Sequence, residues 1–377
     1  MSHSPRSLSI MTKEQRLLSD LVLVADEYIL KKNDIPKLRE QLLQDLKFLN
    51  NLELAQFYIY SAHLITLIHF ISEEYWLAQR KQTSVQVSFK DFLDLYLEVE
   101  LSSIHFLHDY LRNSSVPKLK NLIKHAQVFV QASLVFIMQQ ESIDQKEFAT
   151  KALYEMSVLY KFEDDLNKKL SLLQQNTNWS NYRTFDDMDI IFNLDYKLDI
   201  GMRTNMMTNE RLYEGAGVGV QSGYSNIILA LSYLNPPMGS TLVDLGSGYG
   251  RVGLTLGLMR TDMNFLGFEY VKHRVDVANL TCEKFELCQK IHFYHQDLSD
   301  PEFLLPEAEI YYLYDPFSRQ TYEFILQRLI KLSHSKKITI VTKGNAKEWF
   351  MPVSIENKWQ QPIHFENSNI CIFQTRL

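Results

Sequence analysis

The chain has 377 residues, of which 46% are apolar and 22% charged, an ordinary balance for a globular protein of about two domains. Its formal net charge of −6 argues against a chain that coats nucleic acid through bulk electrostatics and leaves a local basic patch open. The three cysteines, Cys282, Cys288 and Cys371, match no zinc spacing and cannot complete a disulfide framework, so they are expected as buried thiols in a reducing compartment.

The first residues, MSHSPRSLSIMTKEQ, contain no apolar core of a secretory signal. The greasiest stretch, Phe57 to Ile71, is interrupted by Ser61, His63 and His69 and is too short for a membrane span. It reads as a buried helix, and the chain is expected to be soluble, cytoplasmic and without a membrane partner.

No glycine occurs in the first 200 residues, and the only prolines there are Pro5, Pro36 and Pro117. A segment without glycine has few positions that need positive φ, and this one is rich in Leu, Lys, Gln and Glu, which form helices readily. Apolar stripes such as Leu38, Leu42, Leu46 and Leu49 recur at helical spacing. The pattern predicts helices at roughly 12–31, 36–50, 52–81, 88–113, 117–141 and 143–173, joined by short connections into a bundle over residues 1–173. His105 and His108 stand near Glu98 and Glu100, but the Glu-x-x-His pattern of bundle metal sites is missing, so no metal is expected.

Residues 174–210 read as a linker. Within it, DMDIIFNLDYKLDIG alternates like a strand or an extended arm. From residue 211 to 377 the pattern becomes that of a sheet. TLVDL, NFLGFE, IHFYH, EIYYLY and KITIVT are short apolar runs with helical segments between them, including an amphipathic stretch from Glu323 to Leu332. This alternation predicts a doubly wound, mostly parallel sheet with helices on both faces. PIHFE and ICIFQTR flank Asn367-Ser368 and predict an antiparallel terminal hairpin, which brings the sheet to seven strands.

The chemistry concentrates at the ends of the strand-like runs. Val243-Asp244-Leu245-Gly246-Ser247-Gly248-Tyr249-Gly250-Arg251-Val252-Gly253 carries a strand through a glycine-rich turn into a helix. Such a turn lets a ligand approach the backbone, and the helix offers it free N–H groups. Nineteen residues after Gly250 the next run ends in Glu269-Tyr270, where an acid can accept both hydroxyl protons of a ribose. The third run ends in Gln296-Asp297, where Asp297 can accept from an adenine amino group or can simply be a helix N-cap. The fourth ends in Tyr314-Asp315-Pro316-Phe317. Ligands of open α/β sheets bind at these carboxyl ends.

This ordered array resembles the class I S-adenosylmethionine (SAM)-dependent methyltransferases, which have a seven-stranded sheet with an antiparallel last strand. The resemblance covers about 165 of the 377 residues and leaves the helical part outside it. It implies SAM as cofactor, with its methionine end over Gly246, Ser247, Gly248, Tyr249 and Gly250. Asp244 would hold the amino group directly or through water. Glu269 would hold the ribose and Asp297 the adenine side, with Tyr270 and Gln296 beside them. Asp315 and Phe317 would border the site of methyl transfer. The second proline of the Asn/Asp-Pro-Pro-aromatic motif is absent, so methylation of DNA adenine or of glutamine is not indicated. Upstream, Tyr213-Glu214-Gly215 partly matches a Tyr-Gly-Glu segment of the nucleosomal histone-lysine methyltransferases that lack a SET domain, with Gly and Glu exchanged. That match suggests that Glu214 or Gln221 lies near the cofactor; a flexible interdomain loop is the other reading of the segment.

Other readings stay open at this point. Gly248-x-Gly250-x-x-Gly253 with Glu269 also fits a dinucleotide fingerprint, although Asp244 stands where such folds usually carry an apolar residue. A protein acceptor selected by the helical domain, a small-molecule or RNA acceptor, and a SAM-fold protein without activity are all compatible with the residues.

Overall fold

The computed structural model describes residues 20, 21, 25, 35–81, 88–97, 111, 116–173, 186–199, 221–315, 317–365 and 368–376. Most of the helix expected at 12–31, the residues His105 and His108, and Glu214 lie outside them. The chain divides into two compact units, residues 1–139 with 158–177, and residues 140–157 with 178–377.

The first unit is helical. Helix α1 spans Ile35–Asp45 and runs into a 3-10 turn, Leu46–Phe48. Helix α2 spans Asn51–Lys81, α3 Phe89–Leu97 and α4 Val116–Ile137. Asn50 starts α2: its Oδ1 accepts from the backbone N–H of Leu52 and Glu53 at 3.0 Å each, and Glu53 Oε2 accepts in return from Asn50 N at 3.0 Å. This reciprocal cap satisfies donors that the first turn leaves unpaired. Phe57 of α2 meets Phe129 of α4 with ring centroids 5.2 Å apart, and Tyr58, Ile59, Leu64, Leu122 and Ala126 are fully enclosed. Ser61 and His63 are buried as well, whereas His69, the third polar interruption of the greasy stretch, is exposed. Among the described residues no helix is long and apolar enough to cross a membrane.

Helix α5, Ser142–Leu173, is shared: its first half belongs to the second unit and its second half to the first. In the second unit, residues 186–199 form a short helix α6, Met188–Ile191, and a 3-10 turn, Lys197–Asp199. The strand or arm expected here is not formed. The buried apolar positions are Met188, Ile191, Phe192 and Leu194, which follow turn-like rather than alternate spacing.

Seven strands follow: β1 Thr241–Leu245, β2 Asn264–Glu269, β3 Ile291–His295, β4 Ile310–Tyr314, β5 Thr339–Lys343, β6 Ile363–Phe365 and β7 Ile370–Gln374. The helices between and before them are α7 Tyr224–Leu234, α8 Arg251–Met259, α9 Lys272–Lys284, α10 Arg319–Ser333 and α11 Ala346–Glu356. The sheet order is β3-β2-β1-β4-β5-β7-β6. Strands β1 to β5 pair in parallel, and β7 runs antiparallel to both β5 and β6. The chain order reverses at β1, so the crevice beyond the carboxyl ends of β1 and β4 is the switch point where open sheets bind ligands. One face of the sheet packs Val243, Leu245, Tyr311, Leu313 and Ile340 against α10 and α11 through Ile325, Leu329 and Phe350. The cysteines differ from expectation in one case: Cys282 and Cys371 are buried and Cys288 is exposed.

Candidate functional site

The turn after β1 is built by three glycines in the left-handed region, Gly246 (φ 92°), Gly248 (φ 54°) and Gly250 (φ 89°). The backbone N–H groups of Gly246 and Ser247 both donate to Phe268 O at 2.9 Å, which ties the turn to the end of β2. At Gly248 a Cβ would come within 3.0 Å of Gln221 Oε1 and 3.1 Å of its Nε2. Gln221 therefore lies against the turn at Gly248.

Asp244 lies at the end of β1, 2% exposed, and Glu269 at the end of β2, 6% exposed. Burial, and then the charge of Glu269, push the Asp244 carboxyl well above its ordinary pKa. Glu269 Oε2 accepts from Gly248 N and its Oε1 from Val271 N, both at 2.9 Å. Each oxygen keeps a second lone pair, so the fixed carboxylate can still accept two hydroxyls. Tyr312 of β4 is buried near Asp244; its hydroxyl pairs with Ser222 Oγ at 2.9 Å, and burial raises its pKa.

The remaining expected residues are placed as follows. Tyr249 is fully buried, with its ring 4.5 Å from that of Tyr196 and 6.2 Å from that of His273, and Asp199 and Arg274 are its charged neighbours. Tyr270 follows Glu269 just past the carboxyl end of β2 and is half-buried. Gln296 donates from its backbone to Glu269 O at 2.9 Å and from Nε2 to Asp297 O at 2.9 Å. Asp297 Oδ1 accepts from Ser299 N at 2.8 Å and Ser299 Oγ at 2.6 Å, so it caps its own turn. Asp315 has φ 40°, an unusual conformation that Asp tolerates better than most residues, and its Oδ1 accepts from Tyr322 OH at 3.3 Å. Phe317 is 2% exposed and packs edge-on against Tyr322, which stacks on Trp349. Beside Asp315, the Lys343 ammonium lies 4.3 Å from the Tyr314 ring centroid.

Sequence reasoning missed an acidic strap. Arg251, the first residue of α8, is 1% exposed and pairs with Asp189 through Nε at 2.8 Å and also through Nη2. Its Nη1 donates to Asp186 Oδ1 at 3.0 Å and to Ser222 O at 3.2 Å. Tyr196 and Tyr224 each donate to Asp189 at 2.5 Å. Burial opposes the Arg251 charge, but Tyr224 and Asp189 outweigh it and the guanidinium pKa is raised. At the start of α9, His273 and Arg274 meet Asp199 in the same way, at 2.7 Å and 3.1 Å. A signal was present: cations in the first turn of a helix oppose its dipole, so Arg251 and His273-Arg274 called for acidic partners.

No protein-family profile matches the chain, and no curated protein sequence does. Among solved structures, TrmN from Thermus thermophilus is 16% identical over 40% of this chain and 49% of its own, with a TM-score of 0.32. The chain thus spans about half of TrmN's length. An RNA methyltransferase from Salinibacter ruber, in complex with S-adenosyl-L-homocysteine, is 17% identical over 40% of this chain and 88% of its own, with a TM-score of 0.31. Precorrin-6y C5,15-methyltransferase from Geobacter metallireducens is 14% identical over 42% and 90%, at 0.33. The second unit has the class I methyltransferase architecture. Its seven-stranded sheet, parallel from β1 to β5 with an antiparallel last strand, gives that architecture. Among the described residues no three His, Cys, Asp or Glu side chains form a metal-holding group.

Proposed function

We propose that the chain is a SAM-dependent methyltransferase. One observation carries the reading: two buried carboxyl groups, Asp244 and Glu269, flank a glycine turn at the switch point of the sheet. The residues fit the cofactor. An acid with a raised pKa is costly to ionise until a cation arrives, and an ammonium near Asp244 would favour its charged form. Glu269 suits a ribose, and the glycine turn admits a chain close to its backbone.

SAM would supply a methyl group on a sulfonium, ready for in-line attack with a neutral thioether as leaving group. The protein's part is then to hold and orient the reactants. Asp315 stands at the end of β4, oriented by Tyr322, and would accept a hydrogen bond from the N–H or O–H of the acceptor. Phe317 backs that loop from the core.

The finer reading is a protein acceptor chosen by the N-terminal helices. Its support is an asymmetry: every cofactor signal lies after residue 210, and a large helical part is left without a task there. Full-length protein incubated with methyl-labelled SAM and cell lysate is expected to label protease-sensitive material. A fragment beginning at Gln140 is expected to bind SAM and lose that transfer. Nuclease-sensitive or small-molecule label would replace the protein acceptor, and the absence of any label would argue against activity.

A further inference from the structure

We infer that Arg274, held by Asp199, is a positioning residue for Glu269 in the cofactor site; this rests on the methyltransferase reading above. Arg274 is 8% exposed, and its guanidinium lies between two acids. On one side Nε reaches Asp199 Oδ1 at 3.3 Å and Nη2 reaches Asp199 Oδ2 at 3.1 Å. On the other, Nη1 stands 3.6 Å from Glu269 Oε1. Asp199 is 1% exposed and is fixed further by His273 Nε2 at 2.7 Å. The chain of charges therefore runs Asp199, Arg274, Glu269, Asp244.

Its purpose follows from the crowding of acids. Asp244 and Glu269 are buried and repel one another when both are ionised, and Glu269 contributes to the raised pKa of Asp244. Only an ionised Glu269 can take two backbone N–H groups and two hydroxyls together. Arg274 offsets the repulsion from the side away from Asp244. Asp199 keeps the guanidinium from swinging into the ligand's space, and Tyr249 bounds it, with its ring centroid 5.8 Å from Cζ. The groups that set the field here come from every neighbouring element. They are Asp244 on β1, His295 on β3, paired through its backbone with Glu269, Tyr312 on β4, Tyr249 in the glycine turn, His273 and Arg274 on α9, and Asp199 in the strap.

The test is calorimetric titration of the full-length protein with S-adenosyl-L-homocysteine across pH, with folding checked by circular dichroism. Arg274→Gln is expected to weaken binding on the order of 10-fold, the loss of one charge-assisted contact. The fall in affinity toward acid should also set in at higher pH, because the charge of Glu269, no longer offset by a cation, raises the Asp244 carboxyl further. Arg274→Lys should restore most of both, and Asp199→Asn should act in the same direction as Arg274→Gln. In a Glu269→Ala background Arg274→Gln should have no further effect. A purely structural role would weaken binding equally at all pH values and in both backgrounds, and that result overturns the inference. So does unchanged affinity and pH profile in Arg274→Gln. If that variant does not fold, Arg274→Lys and Asp199→Asn decide alone, and wild-type behaviour in Asp199→Asn contradicts the inference. A wild type that does not bind the ligand overturns instead the reading of the site, and the inference with it.

Discussion

Two buried titratable groups of the sheet unit, Arg251 and Asp244, work in opposite directions. Arg251 has its partners in place, so removing one member leaves an uncompensated buried charge. Arg251→Ala or Asp189→Asn should each destabilise by about 3–5 kcal/mol, and the two together by less than the sum. Urea unfolding of the two variants and their double checks this. Asp244 is the reverse case, an acid that the free protein holds at a cost. Its folded pKa is raised, so at acid pH, where folded and unfolded chains both hold the proton, there is no penalty. The penalty grows as pH rises above the ordinary carboxylate range, where the unfolded chain releases the proton, and is complete above the raised folded value. Asp244→Asn should therefore stabilise the free protein near neutral pH, leave it unchanged in acid, and weaken SAM binding. Thermal unfolding at the two pH values measures the first part. Equal stability of variant and wild type at both would contradict the burial argument.

At the level of elements, the strands were the most legible part of the sequence. Parallel strands covered on both faces read as continuous apolar runs, and TLVDL, NFLGFE and IHFYH form strands over those same residues. The residues 186–199 were not legible. Their alternation imitates a strand, and their partners are far away in sequence, with Asp189 62 residues from Arg251 and Asp199 75 from Arg274. Local pattern cannot report such pairs. The candidate site was legible to the extent that its residues end strands, as Asp244 and Glu269 do. Asp297 shows the limit, because the cap that its carboxylate forms looks the same in sequence as a ligand contact. The glycine turn allows a sharper comparison. At Gly250 (φ 89°) a Cβ would meet Phe293 Cζ at 2.7 Å and the Ala278 Cβ at 2.9 Å, whereas at Gly239 (φ 79°) it would meet nothing within 4 Å. Gly250→Ala should cost about 2–5 kcal/mol, from backbone strain plus overpacking, and Gly239→Ala only the strain of about 1–2 kcal/mol. Equal losses on denaturation would show that the close approach of α8 to the sheet contributes nothing.

On the scale of the whole molecule, the helical and the sheet units carry separate arguments. The helices of the first unit bury their own core, and the glycine turn and the two buried acids all belong to the second unit. The sheet unit gathers the glycine turn, two buried acids and the acidic strap within one fold, and draws the first half of α5 into it through the Tyr154 hydroxyl, which donates to Met259 O at 3.2 Å. The claim that this arrangement is a SAM site is tested most directly by titration calorimetry of full-length wild type and Glu269→Ala with SAM, and of wild type with NAD. Wild type should bind SAM and not NAD, and Glu269→Ala, folded as judged by circular dichroism, should bind SAM about 10- to 100-fold more weakly. Wild-type affinity in the variant, or binding of NAD in preference to SAM, would contradict the account.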